Sequence, residues 1–164
     1  MSNDTAPDGT RRLLIKGAVA GGLAGLGVAE IGFPSQLQAA DASEWPKDAF
    51  AQKTEADAVK ALYGKAAEES AKVVLDAPEI AENGAVVPIS VSSTLPGVSS
   101  ISILVAENPF PLAASYRVPA GASAMVGSRL KMAKTSRVTA LVEAGGKVYS
   151  ASKEVKVTVG GCGG

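Results

Sequence analysis

From Lys72 to Val159 the hydrophobic period is two. Apolar residues recur near every second position in "KVVLDA", "AVVPISVSS", "SISILVAE", "LAASYRV", "AMVGSRLKM", "SRVTALVEA" and "KVYSASKEVKVTV". That is the repeat at which side chains of an extended strand return to one face. Turn formers stand between the runs: Asn83-Gly84, Pro96-Gly97, Pro109 with Pro111, and Gly145-Gly146. About seven short strands separated in this way predict an all-β fold, an antiparallel immunoglobulin-like sandwich. No strands alternate with helices, and neither GxGxxG nor a P-loop is present. Those absences argue against a nucleotide-binding α/β fold.

Three local features refine the expectation. Pro88 sits inside the second run. Proline has no N–H for the ladder, so this strand is expected at an edge or at a bulge. Asn83-Gly84 is expected as a hairpin-type turn. In "ENPFPLAAS", Pro109 and Pro111 flank Phe110, which reads as a rigid inter-strand loop. The alternative is a partner-binding loop with Phe110 as anchor.

Before the strands, "KTEADAVKALYG" has the pattern of one short helix. Thr54 is the candidate N-cap, and Glu55 and Asp57 lie in the first turn, where negative charge suits the helix dipole. Ala58, Val59 and Leu62 form an apolar stripe, and Gly64 is the candidate C-cap. A weaker helical extension runs to Glu69.

Composition narrows the chemistry. The chain has no histidine and one cysteine, Cys162. Without an imidazole there is no Ser-His-Asp or Cys-His catalysis and no His-ligated metal. A single cysteine makes no internal disulfide, thiolate cage or CxxCH haem attachment. No tight acidic cluster offers a carboxylate metal site. No catalytic or metal residue is therefore assigned, and no cofactor is expected on this chain. Sixteen basic residues balance sixteen acidic ones, which gives no pointer to nucleic acid or a membrane surface.

The N-terminus reads as an address. "TRRLLIKG" places Arg11 and Arg12 before Leu13, Leu14 and Ile15. It resembles the twin-arginine export signal, with Leu14 where Phe is commonest. "GAVAGGLAGLGVA" follows as a glycine-rich apolar stretch, shorter than the roughly 20 residues of a membrane span. Cleavage is placed after Ala42, in the pattern Ala40-Asp41-Ala42, or after Ala40. Residues 1–42 are thus expected to be removed, leaving a periplasmic protein without a membrane span. The mature chain divides into an N-terminal segment with the helix (43–71), the sandwich (72–159) and a tail (160–164). Twin-arginine export carries folded proteins, and a partner picked up before export would explain its use here.

The tail is "GGCGG": Gly160, Gly161, Cys162, Gly163 and Gly164. It follows a strand whose Val155, Val157 and Val159 share one face and should anchor it. Four glycines make the tail a thin, flexible arm. At 3.3–3.6 Å per extended residue, Cys162 stands about 10 Å off the domain. No cation adjoins the thiol, and the terminal carboxylate nearby opposes thiolate formation. Cys162 is therefore a handle for other proteins to activate. An exported lone cysteine also fits a second reading, an interaction module whose Cys162 makes an intermolecular disulfide.

"GGCGG" after "KEVKVTV" resembles the C-terminus of the SoxY family of the periplasmic thiosulfate-oxidising system. "APEIAENGAVVPISV", "LPGVSSISILVAENPFPLAAS" and "SRLKMAKTSRVTALVEAGGKVYSA" carry the resemblance through the mature chain. The resemblance implies a non-catalytic carrier that pairs with SoxZ. It makes Cys162 the covalent attachment point, on an arm of Gly160, Gly161, Gly163 and Gly164. It also implies transient docking to the haem protein SoxAX, the manganese hydrolase SoxB and a sulfur dehydrogenase. S-thiosulfonate and sulfane intermediates would ride on Cys162. A ubiquitin-like sulfur carrier, which uses a terminal thiocarboxylate, is disfavoured by the export signal and the cysteine.

Overall fold

The computed structural model describes residues 46–159. The tail, with Cys162 and its four glycines, and the segment with Arg11 and Arg12 lie outside these residues. Two helices open the described chain, α1 at Lys47–Phe50 and α2 at Glu55–Tyr63. Helix α2 starts and stops where its sequence dictates. The Thr54 hydroxyl accepts from the Asp57 N–H at 3.1 Å. Gly64 ends the helix at φ 67°, a backbone angle that glycine adopts without a Cβ penalty. The expected continuation to Glu69 does not form. Beyond the Gly64 cap the chain becomes a strand, β1 (Ala67–Glu69).

Eight further strands follow: β2 Val73–Asp76, β3 Ile80–Ala81, β4 Val87–Ser93, β5 Val98–Val105, β6 Leu112–Arg117, β7 Met125–Leu130, β8 Ser136–Ala144 and β9 Lys147–Val157. The larger sheet has the order β1-β9-β8-β5-β6, with β3 also on β9; the smaller sheet is β2-β4-β7. The all-β sandwich is as the periodicity implies. All seven expected runs form strands, β2 and β4 through β9. The two additions, β1 and β3, are short and pair with β9 in parallel. Segments of three and two residues are too short to show a period.

Pro88 lies in β4, which is central for part of its length. Strand β2 reaches only from Ser93 to Ser90 on β4, whereas β7 runs from Ser92 to Val87. At Pro88 the strand has one neighbour, so the missing N–H faces no ladder. The expectation of an edge strand thus holds locally and fails for the strand as a whole. Asn83-Gly84 is a turn, but not a hairpin: β3 joins β9, and β4 joins the other sheet. The Asn83 carboxamide oxygen accepts from the Ala85 N–H at 2.8 Å, closing an Asx turn. Gly145 (φ 58°) and Gly146 (φ 76°) do form a two-residue hairpin turn between β8 and β9. Positive φ at both positions is what the twist of such a hairpin requires.

The core has two layers. Between the sheets lie Val87, Ile89, Val91, Ile101, Ile103, Val105, Val138, Val142 and Val155. On the outer face of the larger sheet, α1 and α2 cover Leu104, Leu112, Leu141 and Val148 with Ala49 and Ala58. Strand β5 is covered on both faces, so Ile101 through Val105 are all buried. Buried hydroxyls under α2 are satisfied. Tyr63 Oη and Ser102 Oγ are 2.8 Å apart, and Ser102 donates to Ser115 Oγ at 2.9 Å. Burial pushes the Tyr63 phenol above its ordinary pKa. The N-terminus of α2 is tied to β8 by Glu55, which pairs with Arg137 and accepts from Thr139 Oγ1.

Candidate functional site

Strand β9 delivers the chain to its C-terminal tail, and the end of that strand is held from both sides. On one side the Thr135 hydroxyl accepts from the Val157 N–H at 2.9 Å. On the other, Lys156 N–H donates to Glu79 O and Thr158 N–H to Ala81 O, at 2.9 and 3.1 Å. Thr158 Oγ1 donates to Glu82 O at 2.9 Å. Gly84 N–H then donates to Val159 O at 2.8 Å, and Gly84 O accepts from Met132 N–H at 2.7 Å. Met132 is fully buried. The path from the core to the last described residue is therefore an unbroken set of backbone anchors.

Anchoring by side chains fades along the same path. Val155 is buried, Val157 is half-buried, and Val159 is 63% exposed. The expectation that all three valines anchor the strand holds for the first two. Val159 has already passed the end of the sandwich, and only its backbone is held.

The loop carrying Thr135 is set by the segment that contains Phe110. Asn108 donates from Nδ2 to Lys131 O at 2.8 Å and accepts from Ala133 N–H at 3.0 Å. Ser136 Oγ accepts from Glu107 N–H at 3.0 Å. These bonds fit the rigid-loop reading of "ENPFPL". Phe110 itself is half exposed, with the Lys53 ammonium 3.4 Å from its ring centre. Glu107 and Lys134 pair at 2.7 Å across the same loops, and Lys134 holds the Glu107 carboxyl below its ordinary pKa.

Sequence periodicity points to Val155, Val157 and Val159, but misses Ile80, Ala81, Gly84, Thr135 and Thr158. The missed residues act mostly through backbone groups or a single hydroxyl. Pro78 and Asn83-Gly84, which bracket β3, are the only local sign of that strand.

A groove of about 570 Å³ lies elsewhere, between α2 and the larger sheet. Glu55, Val59, Leu104, Arg137, Leu141 and Ser152 contribute to its lining. Among the described residues, no three acidic or cysteine side chains converge as a metal site. No helix among them is long and apolar enough to cross a membrane.

Comparison with known proteins decides the family. The family described as sulfur oxidation protein SoxY matches residues 59–162, from the middle of α2 through Cys162. The chain belongs to the SoxY family. A solved SoxY-family structure, the sulfur carrier protein SoxY from Chlorobium limicola f thiosulfatophilum, is 44% identical to this chain. The similarity covers 63% of this chain and 96% of the Chlorobium SoxY, with a TM-score of 0.58. A chain from a solved structure on T cell specificity and activation by the bacterial superantigen toxic shock syndrome toxin-1 is similar at 11% identity and a TM-score of 0.39, over 52% of this chain and 98% of that one. That similarity carries no argument about this chain. A search of curated protein sequences returns no match. The SoxY match ends two residues short of the C-terminus and includes the only cysteine.

Proposed function

We propose that this chain is a covalent sulfur carrier that holds thiosulfate-derived groups on Cys162 and presents them to periplasmic enzymes. The observation that carries the reading is the span of the SoxY match, which runs through Cys162, the one thiol of the chain. The anchored end of β9 supports it, because a load at the tail needs a firm base. Gly160, Gly161, Gly163 and Gly164 supply a stem without Cβ atoms, narrow enough to enter a recessed active site.

The chemistry belongs to partners. The outer sulfur of thiosulfate bonds to the Cys162 sulfur, and the thiol proton and two electrons leave, the electrons to a haem protein of the SoxAX kind. Water then cleaves the bond to the sulfonate group on a hydrolase of the SoxB kind. Sulfate departs with one proton, and a persulfide, Cys–S–SH, stays on Cys162 for a sulfur dehydrogenase or an acceptor. This chain contributes position, reach and a passive thiol. It works beside a SoxZ-like subunit and has no turnover of its own. Arg11 and Arg12 direct it to the periplasm by the twin-arginine route, and residues 1–42 are removed.

Thiol blocking tests this reading against the disulfide-dimer alternative. Mature protein taken from thiosulfate-grown cells should retain no label on Cys162 when iodoacetamide is followed by dithiothreitol, while the protein migrates as a monomer on a non-reducing denaturing gel. A thiosulfonate does not alkylate, and a persulfide alkylates only on its removable outer sulfur. After reduction it should alkylate at the rate of a small free thiol. A blocked thiol found only in a covalent dimer would favour the interaction module.

A further inference from the structure

The chain has three asparagines, Asn3, Asn83 and Asn108. Asn3 lies outside the described residues, and Asn108 precedes Pro109, whose nitrogen carries no hydrogen. Asn83 precedes Gly84 in the turn after β3. The backbone nitrogen that follows an asparagine can attack the side-chain carbonyl carbon and expel the amide as ammonia. Glycine, with no Cβ, hinders that approach least. Asn83 is also exposed, so water and hydroxide reach it. The sequence therefore places a reactive pair in an accessible turn.

The fold withholds the attacking nitrogen. Gly84 is buried although Asn83 is not. The peptide between them is held on both sides: Gly84 N–H donates to Val159 O at 2.8 Å, and Asn83 O accepts from Val86 N–H at 3.4 Å. Gly84 O, accepting from Met132 N–H, fixes the next peptide. The Asn83 side chain is tied as well, because its Oδ1 accepts from Ala85 N–H at 2.8 Å. Ring closure needs the Gly84 N–H released from Val159 O and the Asn83 side chain freed. Breaking two bonds of ordinary strength slows such a step by roughly ten- to a hundredfold. The acceptor, Val159, lies two residues past the end of β9, and ends of elements open first.

We propose that Asn83 is a deamidation site gated by the end of β9. While Val159 O holds the Gly84 N–H, the amide persists. When the strand end opens, the Gly84 nitrogen bonds to Asn83 Cγ, and the side-chain NH2 leaves as ammonia with the Gly84 proton. Water then opens the cyclic imide to aspartate or isoaspartate. No electrons are transferred; a water is taken up and an ammonia released. The imide nitrogen carries no hydrogen, so Val159 O has lost its donor. Isoaspartate places the Cβ of residue 83 in the main chain and displaces Gly84 from Val159. A transient opening is thus recorded as a permanent change. The inference stands whatever Cys162 carries.

The test incubates the mature protein at mildly alkaline pH, folded or in urea. Mass spectrometry of the peptide containing Asn83, with an isoaspartate assay, follows the reaction. The wild type should deamidate at Asn83 roughly ten- to a hundredfold faster in urea than folded. Thr135→Val and Thr158→Val each remove one side-chain bond at the end of β9, from exposed positions. The folded double variant should deamidate about tenfold faster than the folded wild type, and at the wild-type rate in urea. If it melts early, Thr158→Val alone decides, with about a fivefold rise. Equal wild-type rates in urea and in the folded state would overturn the gate. A wild-type rate in the folded variants would place the control within the turn itself and overturn it too. In the isoaspartyl product, hydrogen exchange at Thr158 N–H should be about tenfold faster than in the unreacted chain. An equal rate there would overturn the release of the strand end.

Discussion

Cys162→Ser should abolish thiosulfate-dependent respiration while the mature protein melts where the wild type does. The chain has one cysteine, so no second thiol takes over the load. Serine matches cysteine in size but forms no bond to sulfane sulfur. The residue lies three positions beyond Val159, whose side chain is already largely exposed. On the carrier reading Cys162 belongs to an exposed arm, where a substitution changes stability by about 0.5 kcal/mol or less. Function and stability should therefore separate cleanly. Respiration would be measured as oxygen uptake on thiosulfate, and stability by thermal unfolding. An interaction module that uses Cys162 only for a disulfide would keep respiration and lose a covalent dimer.

The second large effect is on the fold. Ile103→Ala should destabilise the domain by about 3–4 kcal/mol and lower its melting temperature by roughly 15 °C. Ile103 is fully buried between the sheets, in the strand that pairs with both β6 and β8. Removing its outer carbons leaves a cavity that flanking strands cannot close, because the ladders on both sides fix the backbone. A domain of this size has about 5–15 kcal/mol in total, so the loss is a large share. By contrast, Ile80→Ser should leave the melting temperature almost unchanged, since Ile80 points away from the core. Thermal unfolding of the two variants checks both statements. Equal losses would mean that Ile80 is part of the packed structure.

Much of the fold was legible because most strands are long enough to show their period. Strand β8 covers the expected run "SRVTALVEA" from end to end, and the Gly145-Gly146 turn follows from its two glycines. The helix was legible from its caps, Thr54 and Gly64. What escaped was partnership. Nothing in Ala67–Glu69 or Ile80–Ala81 encodes a parallel pairing with β9, because the partner is more than seventy residues away. Pro88 shows the same limit: its fit depends on where β2 stops, a fact held in another segment. For the candidate site the balance is reversed. The thiol and its glycines stand out in the sequence, whereas the base that carries them, from Glu79 to Gly84 with Thr135 and Thr158, emerges only from hydrogen bonds.

The two readings of Cys162 predict different masses. Intact mass spectrometry of the mature protein from thiosulfate-grown cells, followed by fragmentation of the C-terminal peptide, tests the carrier role most directly. The carrier account predicts a monomer bearing added sulfur atoms or a thiosulfonate, removable by dithiothreitol and located on Cys162. An unmodified thiol, a modification on the Gly164 carboxyl, or a load found only as a disulfide between two chains would contradict it.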